Sequence, residues 1–184
     1  EVELAGAEAR VTLTSAARPE TLAVDPAFDV ARRLAAGELP PTLRDALTAG
    51  RVGVHRGGTA GQAVAPVLLD PEAERLDWRT GPPDGGEAVL VAGTTSEVAA
   101  LRARLLDGAP PPEAKLGGAR AWVETDAADR RWLFVSGAAP EELPGALRSL
   151  RYYGSESYVV LYGEGRPRSG RWPVTDSPMA VRFR

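Results

Sequence analysis

Few side chains in this sequence of 184 residues could carry out chemistry. The only histidine is His55, there is a single lysine, and there is no cysteine. A zinc site needs three or four suitable ligands, and a catalytic triad needs a nucleophile beside a base. His55 follows a short strand pattern, and no HExxH motif occurs anywhere in the sequence. We therefore expect no catalytic residue, no metal ligand and no cofactor in this chain.

A second candidate for chemistry is a turn between a strand pattern and a helix pattern. It contains Gly93, Thr94, Thr95 and Ser96. Amides and hydroxyls at the start of a helix can bind a phosphate group, although this turn lacks the lysine of a P-loop and the GxGxxG pattern. Thr94 and Glu97 also match a capping box, which is a purely structural role. Binding of phosphate or a nucleotide at this turn is the weaker of our two functional hypotheses.

Charge and composition argue against two classes of partner. Lys and Arg together number 22 against 25 Asp and Glu, whereas a general nucleic-acid binder carries an excess of basic residues. We therefore expect no nucleic-acid partner, and we interpret the arginines near the C-terminus as a solvated surface. No apolar run approaches the roughly 20 residues that span a bilayer, so we expect no membrane-spanning segment.

From Arg51 onward, the apolar pattern predicts strands that alternate with helices. Strands are expected at residues 51–54, 87–92, 121–124, 131–136 and 158–162, with a further one near 179–183. Helices are expected within 62–69, after Thr94 and after Pro140. Such alternation is typical of an α/β fold, with a mainly parallel sheet and helices on both of its faces. We predict that residues 51–184 form one domain of this class.

The first 50 residues predict two smaller segments. Residues 1–24 show apolar alternation at 11–14 and 21–24, which predicts a β segment. Two strands cannot form a stable sheet alone, so this segment is either the edge of a larger sheet or a pair packed on the main domain. Residues 25–50 predict a helical connector, because Asp25 and Pro26 match a helix start and Leu43 and Leu47 lie on a second short helix.

Two parts of the chain together resemble one family. The first comprises LAVDPAFDVARRL at residues 22–34 and ELPPTL at 38–43. The second comprises LRYYGSESYVVLYG at 150–163 and GRWPVTDSPM at 170–179. In order and in separation, these segments are similar to passages in the C-terminal part of some bacterial aminopeptidase-N-like zinc metallopeptidases, the gluzincins. The matched segments cover about a third of the chain.

This resemblance implies a position in a longer polypeptide rather than an activity of this chain. The chain resembles a C-terminal accessory domain, residues 1–24 resemble the end of a preceding β-sandwich, and zinc is expected only in an upstream catalytic peptidase domain. That domain is the expected partner. The residues expected at the interface with it are Phe28, Arg32, Arg33, Tyr152, Tyr153 and Trp172.

The chain begins at Glu1 rather than Met, as a processed protein or an excised domain would. Localisation stays open, with a periplasmic or exported parent protein as one option.

Overall fold

A computed structural model describes residues 11–25, 38–55, 74–78, 88–112, 118–139, 143, 148–161, 166–174, 177 and 179–183. The chain divides into two compact units. One combines Glu1–Leu39 with Val174–Arg184, and the other spans Pro40–Pro173. The predicted helix that carries Phe28, Arg32 and Arg33 and the predicted helix within 62–69 lie outside the described residues.

The described residues form nine strands, two α-helices and one 3-10 helix. The strands are β1 (Thr21–Ala23), β2 (Arg51–His55), β3 (Glu74–Trp78), β4 (Ala88–Thr94), β5 (Ala119–Thr125), β6 (Arg131–Gly137), β7 (Tyr158–Leu161), β8 (Arg168–Gly170) and β9 (Ala180–Arg182). The helices are α1 (Leu43–Leu47), α2 (Thr95–Leu105) and the 3-10 helix Arg148–Tyr153.

The larger unit contains a mixed sheet of seven strands, in the order β3-β2-β4-β6-β5-β7-β8. Strands β3, β2, β4 and β6 run parallel, whereas β5, β7 and β8 run antiparallel to their neighbours. The predicted α/β fold, a mainly parallel sheet with helices on both faces, is therefore wrong, because the sheet is mixed and helices are few among the described residues. The physical reason is the short turn between β5 and β6, because a parallel pair needs a crossover of about a dozen residues or more. Strand β3 was not predicted at all.

The N-terminal β segment also differs from its prediction. Residues 11–14 are irregular in the structure, and only Thr21–Ala23 forms a strand. This strand pairs antiparallel with Ala180–Arg182, at the other end of the chain, in a separate two-stranded sheet. The strand near residues 179–183 was predicted, and the structure confirms it. Its pairing with β1 was not predicted.

The core of the larger unit lies on both faces of the sheet. Because side chains alternate along a strand, Leu90 and Leu133 face one side while Val91 and Phe134 face the other. Helix α1 and Leu150 of the 3-10 helix cover the first side. The second side is covered by Val98 and Leu101 of α2. Strands β4 and β6 are buried on both faces, which explains their nearly continuous apolar sequences.

Both α-helices begin with the capping chemistry that their sequences contain. At the start of α2, the amide of Thr94 donates to Glu97 Oε2 at 2.8 Å, and the amide of Glu97 donates to Thr94 Oγ1 at 3.4 Å. The predicted capping box is thus confirmed. Thr42 and Asp45 form an equivalent box at the start of α1. Two of the four amides that a helix leaves unpaired at its start gain partners this way.

The turn between β5 and β6 is organised around one carboxylate. Asp126 Oδ1 accepts from the amides of Ala128 and Arg130, at 2.9 and 3.0 Å. Asp126 Oδ2 accepts from Arg130 Nε at 2.8 Å and from Trp132 Nε1 at 2.9 Å. Burial by itself raises the pKa of this carboxyl, but the hydrogen bonds from Trp132, Arg130 and Ala128 together lower the pKa below its ordinary value.

Replacing Asp126 with asparagine is expected to lower the free energy of unfolding by about 2 kcal/mol near neutral pH. The side-chain NH₂ group of asparagine is itself a donor, so it could not accept the hydrogen bonds that Arg130 Nε and Trp132 Nε1 give to Asp126 Oδ2. Because the folded pKa of Asp126 is lowered, its contribution is present above the unfolded pKa of about 3.9 and is lost as the pH falls through the folded pKa. Urea unfolding at neutral and acid pH measures both effects. Asp129→Asn, an exposed change in the same turn, serves as the control and should change little.

Candidate functional site

The predicted ligand turn lies at the carboxyl end of β4, where α2 begins. Its hydroxyl groups are already bound within the protein. Thr94 Oγ1 donates to Glu97 Oε2 at 2.8 Å, and Thr95 Oγ1 donates to the carbonyl of Gly137 at 3.3 Å. Ser96 Oγ lies 3.4 Å from Thr94 Oγ1. The structure therefore brings the turn together as predicted, but the hydroxyls are used to join α2 to the ends of β4 and β6.

The charge at this turn also opposes a bound anion. The Glu97 carboxylate sits in the first turn of α2, where it interacts favourably with the positive end of the helix dipole. A phosphate group placed there would have to compete with this carboxylate and would be repelled by its charge. The hypothesis of a phosphate or nucleotide site at Gly93–Ser96 therefore gains no support from the geometry of the turn.

His55 is the last residue of β2, and its side chain is buried. In the parallel ladder it lies beside Val91 of β4. Burial lowers the pKa of His55 below its ordinary value, and the positive charge of Arg104 lowers it further. In the part of the chain that the structure describes, no three His, Asp or Glu side chains are grouped so that they could hold a metal ion.

Two buried arginines were not identified from the sequence. Arg120 lies in β5, and its Nε donates to Ser136 Oγ of β6 at 2.9 Å. Burial lowers the pKa of Arg120. Ser136 is completely buried, so this serine is inaccessible to a substrate. The signal in the sequence was a charged residue, Arg120, set among the apolar residues of the first half of β5.

The second buried arginine, Arg102 of α2, forms an extensive polar network among the described residues. Its Nε and Nη2 donate to the two oxygens of Glu124, at 3.0 and 2.7 Å. Its Nη1 donates to the carbonyl of Gly108 at 2.7 Å. Glu124 Oε1 also accepts from Trp122 Nε1 at 2.8 Å. This network joins α2, the segment after it and strand β5, and its role is structural because the ion pair is nearly closed to solvent.

Of the residues predicted at a domain interface, two are half-buried and pack against the folded core. Trp172 stacks on Tyr158 with ring centroids 4.7 Å apart, and its Nε1 donates to the carbonyl of Val123 at 2.6 Å. Tyr153 packs against the cluster that contains Leu150. Tyr152, by contrast, is 79% exposed. Phe28, Arg32 and Arg33 lie outside the described residues.

An exposed apolar surface lies in the smaller unit and was not predicted. Leu22 of β1 lies directly opposite Val181 of β9. Hydrogen bonds from the Val24 amide to the Met179 carbonyl (2.8 Å) and from the Phe183 amide to the Glu20 carbonyl (3.0 Å) extend the pairing at both ends. Alternation along each strand puts four apolar side chains on one side, which we call the ribbon face: Leu22, Val24, Val181 and Phe183. Each of them is between 40% and 54% exposed.

Comparisons with known proteins provide no relative from which a role could be transferred. No protein-family model matches the chain, and neither a curated protein nor a solved structure matches it. No helix among the described residues is long and apolar enough to cross a membrane. Function must therefore be inferred from the side chains themselves. Among the described residues, the ribbon face is the exposed apolar surface that best fits contact with another protein domain.

Proposed function

We propose that this chain is a non-catalytic C-terminal accessory domain of a bacterial metallopeptidase-like protein. Its role is to pack against the upstream catalytic domain of the same polypeptide, where it helps to shape access to the active site. Zinc and the catalytic residues belong to that upstream domain. The observation that carries this proposal is the ribbon face, with its four exposed apolar side chains.

The position of the ribbon supports the link to the peptidase family. Leu22 begins the first segment that resembles the gluzincin passages, and Met179 ends the second. In the structure these two segments are joined directly, since the Val24 amide donates to the Met179 carbonyl. Two segments that lie far apart in the sequence and resemble the same family are therefore in contact in the structure, which supports treating them as one unit.

The energetics of the ribbon favour a covered surface. An isolated two-stranded ribbon is marginally stable in water, and packing against a further element stabilises it. Full burial of a Leu, Val or Phe side chain contributes about 1.5–3 kcal/mol, so burying the exposed halves of four of them contributes several kcal/mol. A domain on the same polypeptide is a suitable occupant, because covalent linkage gives it an effective concentration in the millimolar range.

The first test is the coding sequence upstream of this chain, in which we expect an HExxH helix in the same reading frame. The region that contains it, produced as a separate polypeptide, is expected to associate with this chain in sedimentation experiments. The isolated chain should show no peptidase activity and should bind no stoichiometric zinc. Peptidase activity or stoichiometric zinc in the isolated chain would contradict the proposal. So would the absence of the upstream helix, or association of the chain only with a second copy of itself.

A further inference from the structure

The larger unit carries an exposed surface of its own, made of residues other than those of the ribbon face. Tyr152 projects into solvent from the 3-10 helix Arg148–Tyr153. The Arg151 guanidinium carbon lies 5.7 Å from the centroid of its ring. Arg148 precedes Arg151 by three residues, and in a 3-10 helix residues at this spacing lie on the same side. Arg148, Arg151 and Tyr152 are all exposed, and Arg151 lies beside the Tyr152 ring.

Two further arginines reach the same region from other elements. Helix α1 packs on the 3-10 helix, and the Arg44 amide donates to the Gly154 carbonyl at 3.0 Å. A Cβ atom on Gly154 would lie only 3.3 Å from Arg44 Nε, so the Arg44 side chain lies directly over this glycine. Arg171 Nε donates to the Ser155 carbonyl at 2.7 Å. All four arginines are exposed. We call this surface the arginine patch: Arg44, Arg148, Arg151 and Arg171, with Tyr152.

The neighbouring carboxylates have partners other than these arginines. Asp45 Oδ2 accepts from the amide and the hydroxyl of Thr42, both at 2.8 Å. Glu156 Oε1 accepts from Ser155 Oγ at 3.1 Å. Within the residues that the structure describes, none of the four arginines forms an ion pair with a carboxylate. Like charges carried by neighbouring elements repel one another, and an anionic partner would relieve this repulsion.

We propose that the arginine patch binds an acidic peptide segment. A guanidinium group matches the two oxygens of a carboxylate with parallel hydrogen bonds, and several such pairs can form along an extended acidic chain. The Tyr152 ring adds a flat surface that combines apolar contact with a hydroxyl group. A nucleic acid fits less well, because the chain has a net charge of −3 and the patch is compact rather than a long basic stripe. This proposal does not depend on the peptidase context.

Fluorescence anisotropy of a labelled oligoglutamate peptide, titrated with the full chain, tests the proposal. The peptide is expected to bind at low ionic strength and more weakly at physiological ionic strength, because salt screens exposed charges. Arg151→Glu is expected to weaken binding about fivefold or more, and Arg148→Glu provides a second variant with the same expectation. Arg104→Glu makes the same charge change at an exposed site on α2, beyond the opposite face of the sheet, and should alter binding less than about twofold.

Three results would overturn the proposal. One is binding of labelled oligolysine as tight as that of oligoglutamate. Another is equal weakening by Arg151→Glu and Arg104→Glu, which would indicate a response to net charge rather than to the patch. The third is binding of single-stranded DNA or of phosphatidylserine vesicles without binding of oligoglutamate, which would assign the patch to a nucleic acid or to a membrane surface instead.

Discussion

Replacing Arg102 with methionine is expected to lower the free energy of unfolding by about 3–5 kcal/mol, the range found when one partner of a buried ion pair is removed. Arg102 has a side chain that is only 5% exposed, and Glu124 is 13% exposed. Methionine has a similar length and adapts to irregular spaces, so the loss comes chiefly from the missing charge and hydrogen bonds. Urea unfolding of the full chain, followed by tryptophan fluorescence, measures the change.

Removing the Arg102 guanidinium leaves several hydrogen-bond acceptors without their donor. The Glu124 carboxylate loses both bonds from the guanidinium and keeps only the one from Trp122 Nε1. The carbonyls of Gly108 and Ala109 lose their donors as well. A buried charge without its partner is more costly than a neutral group in the same place, because burial removes the solvation that would stabilise it.

A second variant separates the ion pair from ordinary packing. Adding Glu124→Gln to Arg102→Met removes the uncompensated charge and keeps an oxygen that can accept from Trp122, so the double variant should regain part of the lost stability. Arg104→Met, an exposed change on the same helix, should stay within about 0.5 kcal/mol of the parent chain. A loss below about 1 kcal/mol in Arg102→Met, with no recovery in the double variant, would show that the pair is not stabilising.

The elements that could be predicted are those with strong local signals. The capping box of Thr94 and Glu97 places the start of α2, and the apolar runs of β4 and β6 place the two central strands. These signals arise within a few residues, so they can be recognised without knowledge of the rest of the chain. The direction of the strands was harder to predict from the sequence. The short turn at Asp126 between β5 and β6 does, however, require these two strands to be antiparallel.

The features that escaped prediction depend on contacts between distant residues. The ribbon exists because Leu22 pairs with Val181, and neither short strand has a recognisable partner in its own neighbourhood. The arginine patch joins Arg44 to Arg151 through the packing of α1 on the 3-10 helix. Tyr152 is exposed, whereas the half-buried Trp172 stacks on Tyr158 and donates to the Val123 carbonyl, so aromatic residues of the same tail have different environments.

The largest effect on function is expected from making the ribbon face polar. The double variant Leu22→Lys with Val181→Glu should weaken association with the upstream region at least about 30-fold, which corresponds to about 2 kcal/mol or more. These two residues face each other across the ribbon, so the new lysine and glutamate attract one another and keep the strands paired. The loss then reflects burial of charged groups in the interface rather than separation of the strands. Sedimentation or calorimetric titration with the upstream polypeptide measures the affinity.

The other face of the same ribbon supplies a closely matched control. Thr21 and Arg182 are also directly opposite each other, and alternation places them on the side away from the ribbon face. Thr21→Lys with Arg182→Glu creates a lysine–glutamate pair at the adjacent position of the ribbon, and it should change the affinity less than about threefold although it adds one negative charge overall. Equal losses in the two double variants would mean that the ribbon acts through its fold or its charge. Retained affinity in the Leu22 and Val181 variant would mean that the upstream region binds elsewhere, and the ribbon face would then need a different occupant.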